Sequence, residues 1–316
     1  MRALVTGVTG FAGGYLAEAL LARGDEVWGL SRRGEWPAAW AHLAGRVTLR
    51  AADLCEPGAV RGALAEARPE RVYHLAGYPH VGRSFREPEA AWAGNLTATR
   101  GLYDAVVAWG GRPRILFVGS GLVYGASDRP DRPPDEDCLL RPNSPYASSK
   151  AAADLVSYQY TCNPGLDIVR ARPFNHIGPR QAPQFAIPHF AQQIVAIERG
   201  RQPPVLQTGN LSPLRDLTDV RDTVAAYLLL MERGRSGEAY NIGCGQTVSI
   251  QTVLSRLLAL AGLEAEVRQS AELLRSTDTA AVRADAGKLR RETGWAPRFS
   301  LDQTLSDTLA YWRQQP

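Results

Sequence analysis

Three observations in the sequence predict an α/β fold, a doubly wound parallel sheet followed by a smaller C-terminal domain. Short apolar runs alternate with helix-patterned stretches as far as Arg172. A glycine-rich turn joins the first run to the first helix. Beyond Arg172 the alternation stops and seven prolines crowd residues 173–213. Strands that alternate with helices are joined by right-handed crossovers, lie parallel and receive ligands at their carboxyl ends.

The elements follow in order. Strands are predicted over residues 2–6, 26–30, 47–51, 71–76, 114–119 and 167–172, each short, rich in Val, Ile or Leu and closed by small or turn residues. Helices are predicted over 14–23, 56–67, 89–109 and 144–160, then 190–199, 219–233 and 250–261, where apolar residues recur at helical spacing. The Pro- and Asp-rich stretch 127–143 reads as an exposed connection. The expected boundary makes 1–173 the first domain, with segments from about 211–243 returning to its sheet, and 174–316 the second.

The 316 residues carry 36 basic and 32 acidic side chains, a net charge of +4, and are 45% apolar. That balance fits an ordinary globular protein. Of the basic residues 34 are arginine and two, Lys150 and Lys288, are lysine. They spread from Arg2 to Arg313 without a dense block, so no nucleic-acid partner is expected. The apolar run at 227–231 is far too short to span a bilayer. Residues 1–11 show no apolar signal core. Four scattered cysteines and five histidines form neither a disulfide framework nor a metal-ligand spacing. A cytoplasmic protein with no metal and no membrane partner is the expectation.

The first strand runs into Gly7-Val8-Thr9-Gly10-Phe11-Ala12-Gly13 and then a helix. Glycines there permit a tight turn, close approach of backbone to a pyrophosphate, and close helix–strand packing, while the helix end offers free N–H groups. Gly7, Thr9, Gly10, Phe11, Ala12 and Gly13 are therefore expected to cradle a dinucleotide in a Rossmann domain. Arg32 and Arg33 end the second strand, where NAD sites place an acidic residue. A guanidinium suits a 2′-phosphate, so NADP(H) is favoured and NAD(H) is the alternative. Asp53, past the third strand, is a candidate acceptor for the adenine amine.

Chemistry is expected at Tyr146 and Lys150, spaced to share one helical face in Asn143-Ser144-Pro145-Tyr146-Ala147-Ser148-Ser149-Lys150. Asn143 or Ser144 can cap that helix, and Pro145 suits its first turn. A chain that writes arginine almost everywhere has written lysine here. A nearby ammonium would lower the phenol's pKa toward neutrality and could hold the nicotinamide ribose. Ser120, after the fifth strand, could polarise a substrate carbonyl beside Tyr146.

These pieces resemble the extended short-chain dehydrogenase/reductase family, which acts mostly on nucleotide sugars. The likeness rests on the turn at 6–13, His74-Leu75-Ala76-Gly77, Ser120 before Val123-Tyr124-Gly125, Tyr146 with Lys150, Arg172-Pro173-Phe174-Asn175, Arg215-Asp216 with Asp219-Val220, and Tyr240-Asn241-Ile242-Gly243. The run 171–179, with 185–190, Gly209-Asn210-Leu211 and Gly294-Trp295, is similar to GDP-mannose 4,6-dehydratases and more closely to GDP-4-keto-6-deoxy-mannose reductases. The resemblance implies further cofactor contacts from Leu54, Leu75, Ala76, Gly77, Tyr146, Lys150, Pro173, Asn175 and His176. It also implies substrate contacts from Ser84, Ser120, Asn175, Arg215 and Arg275. Arg180 stands where the closer relatives tend to have glycine, at an expected pocket rim.

Dehydratases of this family place an acidic residue two before the tyrosine of the Val-Tyr-Gly motif, and here that residue is Leu122. Leucine transfers no proton, so dehydration is disfavoured, and Glu136 and Asp137 are not expected to replace the acid. The resemblance implies NADPH-dependent reduction of a 4-keto-6-deoxy sugar nucleotide, with GDP-4-keto-6-deoxy-D-mannose giving GDP-D-rhamnose. A 4-epimerase is the alternative, with a 4,6-dehydratase or a redox-sensing binding protein behind it. Helices 89–109 and 144–160 carry apolar residues beyond one core face, so a homodimer is expected.

Overall fold

The computed structural model describes residues 1–125, 132–274 and 281–316. The first six strands are β1 (Arg2–Thr6), β2 (Glu26–Ser31), β3 (Thr48–Ala51), β4 (Arg71–His74), β5 (Arg114–Val118) and β6 (Ile168–Pro173). Between them run α1 (Phe11–Ala22), α2 (Pro57–Ala67), α3 (Pro88–Trp92), α4 (Ala98–Trp109) and α5 (Pro145–Cys162). The chain continues through β7 (Asn175–Ile177), α6 (Ala186–Glu198), β8 (Val205–Thr208), β9 (Leu214–Asp219) and α7 (Val220–Arg233). Then follow β10 (Ala239–Ile242), β11 (Thr247–Ser249), α8 (Ile250–Ala261), β12 (Glu266–Gln269), β13 (Ala281–Val282), α9 (Gly287–Thr293) and α10 (Leu301–Gln314).

The large sheet is parallel throughout, in the order β10-β6-β5-β4-β1-β2-β3. Strand order reverses at β1, which lies between β2 and β4, so a crevice opens above their carboxyl ends. One face is covered by α1 and α7, which bury Leu16, Leu20, Val224 and Leu230 against Val5, Leu116 and Val169. The other is covered by α2, α4 and α5, through Val60, Leu64, Leu102, Val106 and Ala153. Each such buried Val or Leu contributes roughly 1.5–3 kcal/mol, which fixes the sheet as a rigid platform. The smaller lobe has its own core, where Phe190, Ile194, Leu254, Leu257 and Leu305 of α6, α8 and α10 meet.

Two expectations change, and a third gains a local feature. Strand β9 lies within the returning stretch 211–243 yet pairs with β7, β11 and β13 in the small sheet; α7 and β10 alone return to the large one. The helix expected over 89–109 is continuous from Pro88 to Trp109, and a wider π-type turn at Ala93–Thr97, between α3 and α4, carries Asn95 inward. In the stretch expected as an exposed connection, Cys138 is buried and Glu136 accepts a hydrogen bond from the Asn241 amide at 2.7 Å; residues 127–131 lie outside the described residues.

Candidate active site

The glycine turn is sterically obligatory. Gly7 has φ +70°, and a Cβ there would lie 2.8 Å from the Ala76 amide nitrogen. A Cβ at Gly13 would lie 2.2 Å from the Gly7 carbonyl oxygen. Helix α1 begins at Phe11 with no side-chain cap and no acidic residue in its first turn. Its uncapped N–H groups and positive dipole end therefore face the crevice. These groups fit the pyrophosphate of a dinucleotide, and the glycines let the turn pack closely enough on itself and on the Ala76 backbone to present them. Thr9, Gly10 and Ala12 complete the rim, and Phe11 stacks its ring on His176 with 5.9 Å between centroids.

At the far end of the crevice, Arg32 and Arg33 are exposed just past β2. Asp53 is exposed too, its Oδ1 accepting from the Cys55 amide at 2.9 Å. Leu54 is buried, and its carbonyl stands 2.1 Å from where a Cβ on Gly101 would be. Its side chain serves the core rather than the crevice. Leu75 and Ala76 are half-buried on the turn after β4. Gly77 follows, with room for no side chain: a Cβ would come within 2.7 Å of Asn95 Oδ1 and 3.1 Å of Lys150 Nζ.

Below this turn His74 is wholly buried, and burial holds its imidazole down at about 3, so it is neutral. Thr99 spends its hydroxyl proton on the Asn95 carbonyl at 2.6 Å. His74 Nε2–H must then donate to Thr99 Oγ1 (2.9 Å), and Thr6 Oγ1 donates to Nδ1 (2.8 Å). The Ala76 amide donates to the same Thr6 oxygen at 3.2 Å, which ties the turn to β1.

Helix α5 delivers the reactive side chains. Ser144 caps it, its Oγ accepting from the Ala147 amide at 3.2 Å, and Pro145 opens the first turn. Lys150 is buried four residues beyond Tyr146, and its ammonium donates to the Val118 carbonyl at 3.0 Å. Burial alone lowers Lys150 to about 8. The Tyr146 phenol is raised above its ordinary value, by burial first, with its hydrogen bond to Ser120 working the other way. Lys150 is not among the groups that move it, so the expected lowering by the ammonium is corrected here: the lysine is anchored on β5. Ser120 is buried and its Oγ also accepts from the Leu122 amide at 3.2 Å.

Other motif residues prove architectural. Arg172 donates to both oxygens of the fully buried Asp154, at 2.9 Å each, and to Tyr124 Oη at 2.8 Å. Tyr124 in turn donates to Asn241 Oδ1 at 2.7 Å. Glu136, held to the Asn241 amide, is spent on the same network. Asp216 is wholly buried and accepts from the Cys244, Gly245 and Ala284 amides.

The substrate residues divide. Asn175 is exposed at the start of β7, directly after the buried Pro173 and Phe174. Arg215 lies half-buried on β9, its Nη1 donating to the Leu214 carbonyl at 2.9 Å. Arg275 lies outside the described residues. Ser84 departs from expectation: it is fully buried, donates to the Val81 carbonyl at 2.6 Å and accepts from the Tyr146 amide at 3.2 Å. Arg180 departs too. At φ +66° it turns onto α1, donates to Glu18 at 2.9 Å and lies over Trp40 at 4.6 Å. Its side chain packs on α1, against Tyr15 and Glu18, and on Trp40. Nothing in the sequence marks Asn95 and Ser149, which lie inside helical patterns yet are fully buried.

Residues 4–308 match the family described as GDP-mannose 4,6 dehydratase. The chain belongs to this family. Among its relatives is the GDP-6-deoxy-D-mannose reductase of Pseudomonas aeruginosa, 34% identical over 99% of this chain and 98% of that one. The solved structure of RMD from Pseudomonas aeruginosa complexed with NADPH superposes with a TM-score of 0.86 at 33% identity, covering 99% of both chains. The UDP-glucose 4-epimerase of Thermus thermophilus, solved with NAD, gives 0.88 at 29% identity and the same coverage. These relatives thus share this fold while their names differ in reaction.

Proposed function

We propose that this member of the GDP-mannose 4,6 dehydratase family is an NADPH-dependent nucleotide-sugar 4-ketoreductase that converts GDP-4-keto-6-deoxy-D-mannose to GDP-D-rhamnose. The observation that carries the reading is the set Ser120, Tyr146 and Lys150 around a turn where Leu122 replaces the dehydratase acid. NADPH, when bound, supplies the hydride that sugar C4 accepts. Arg32 and Arg33 support the phosphorylated cofactor, and the turn at Gly7–Gly13 with Gly77 receives its pyrophosphate and ribose. Asn175 and Arg215 hold the sugar nucleotide from the opposite wall. Ser120 orients the C4 carbonyl, Tyr146 gives its phenolic proton to the C4 oxygen, and Lys150 supports that proton's replacement. Burial keeps the phenol protonated at neutral pH, the state a proton donor needs.

Two further readings belong to the proposal. Val107 on α4 and Leu155 and Tyr158 on α5 are exposed apolar side chains on the helices that cover one face of the sheet, which supports a homodimer. The four cysteines form no disulfide, which supports a reducing cytoplasmic home. No helix among the described residues is long and apolar enough to cross a membrane.

The test is an assay with GDP-, dTDP- and UDP-linked 4-keto-6-deoxy sugars. NADPH consumption with the GDP sugar is expected. Interconversion of a 4-hydroxy sugar nucleotide such as UDP-glucose with its C4 epimer, the cofactor unchanged overall, would identify an epimerase instead.

A further inference from the structure

The peptide groups on either side of Tyr146 are both held by buried side chains. On the N–H side, Ser84 Oγ accepts at 3.2 Å while donating to the Val81 carbonyl at 2.6 Å. On the carbonyl side, Ser149 Oγ donates at 2.8 Å and accepts from Asn95 Nδ2 at 2.9 Å. Asn95 Oδ1 then accepts from the Tyr78 amide, also at 2.9 Å. Ser84, Asn95 and Ser149 are all fully buried. A helix start normally leaves its first N–H groups without partners. Here Pro145 has none, Ser84 takes Tyr146's, and the Ser144 side chain and carbonyl take those of Ala147 and Ser148.

Both ends of this clamp reach residues 78–84, the segment that follows Gly77. The same segment spans the crevice, because the His80 ring stacks on Phe185, just before α6 in the smaller lobe, with centroids 5.8 Å apart and planes at 20°. Tyr78 presents its edge to His80 and donates from its hydroxyl to Glu87 at 2.6 Å. The segment therefore meets the smaller lobe at His80 and Tyr146's backbone directly at Ser84, with a second link that runs through Asn95 and Ser149.

We propose that Ser84 is a positioning residue for Tyr146, tying the start of α5 to the crevice-spanning segment 78–84 so that the phenol meets the sugar C4 oxygen in register. This rests on the reading of Tyr146 as proton donor and replaces the expected substrate contact by Ser84. Proton transfer demands placement within a fraction of an ångström, and a misplacement of about 1 Å costs on the order of a hundredfold in rate. Loss of the clamp would act on the chemical step and leave ground-state binding intact.

The experiment measures kcat and KM for both substrates in Ser84→Ala and Ser84→Thr, beside Tyr146→Phe. Ser84→Ala is expected to lose roughly tenfold or more in kcat with both KM values within about twofold. Ser84→Thr, which keeps the acceptor oxygen, is expected to recover most of it. A raised sugar KM with unchanged kcat in Ser84→Ala would overturn the proposal and make Ser84 a substrate contact. Equal loss in both variants, or a normal kcat in Ser84→Ala, would overturn it as well. Should Ser84→Ala not fold, Ser149→Ala, which loosens the carbonyl side, must show the same split of kcat from KM, and a normal kcat there overturns the proposal. Tyr146→Phe separates the two claims: activity in that variant defeats the proton-donor reading itself, whereas an inactive Tyr146→Phe beside a normal Ser84→Ala defeats only the clamp.

Discussion

The Lys150 ammonium donates to the Val118 carbonyl at 3.0 Å, across the interval between α5 and the carboxyl end of β5. It also approaches the place of a Gly77 Cβ to 3.1 Å. A compact ammonium fits that gap, and a planar guanidinium does not. Lys150→Arg keeps the charge yet should lower kcat about a hundredfold, since displacing neighbouring groups by about 1 Å costs that much. Steady-state kinetics with NADPH check it; near-normal turnover contradicts the role.

The same burial predicts a pH signature in stability. Lys150 titrates near 8 when folded and from 10.5 as its unperturbed value. Between those values the unfolded chain binds more protons at this site than the folded one, so this group's contribution to stability rises with pH. Below 8 both states are protonated and the burial cost is constant. Urea midpoints of the native protein, relative to Lys150→Met, should therefore climb from pH 8 to about 10.5. A flat difference over that window contradicts the buried ammonium.

Asp154 is the counter-charge for two guanidiniums, Arg170 and Arg172, and is itself fully buried. Asp154→Ala leaves those cations without it, and should destabilise by about 3–5 kcal/mol. Denaturant unfolding measures the loss. The pair lies behind Tyr124, not in the crevice, so KM in the fraction that folds should hold.

Gly13→Ala places a methyl 2.2 Å from the Gly7 carbonyl oxygen, and both belong to the turn's backbone. NADPH affinity should fall roughly tenfold or more, as the turn opens. Fluorescence titration of the cofactor reports it directly.

Arg180→Gly tests where that residue acts. Glycine relieves the left-handed backbone at φ +66° but gives up the Glu18 bond and the Trp40 and Tyr15 faces. The opposing effects, each about 1 kcal/mol, nearly cancel in stability. Because Arg180 faces α1, the KM for the sugar nucleotide should stay within about twofold, and a large change would return it to the sugar pocket.

Much of this was legible along the chain. The first six strands and the Tyr146–Lys150 spacing depend on local pattern, which periodicity reports. Lys150 stood out because a chain with 34 arginines places so few lysines. What escaped depends on contacts distant in sequence. Ser84 meets Tyr146 across 62 positions, and Asn95 meets Ser149 across 54. A serine on a loop looks the same whether it faces a sugar or a peptide N–H. The stretch 211–243 reads as a return to the large sheet, and only the pairing of β9 with β7, β11 and β13 sets that part of it in the small one. Arg180's side depends on a single left-handed backbone angle that arginine seldom adopts.

The most direct test of the central claim follows the hydride. NADPH carrying deuterium at the transferable position is incubated with GDP-4-keto-6-deoxy-D-mannose, and the sugar is analysed by mass and NMR. The account predicts deuterium at C4 of a 6-deoxyhexose, with cofactor consumed in equal amount. Deuterium that stays on the cofactor, with the 4-keto sugar left unreduced, would contradict it.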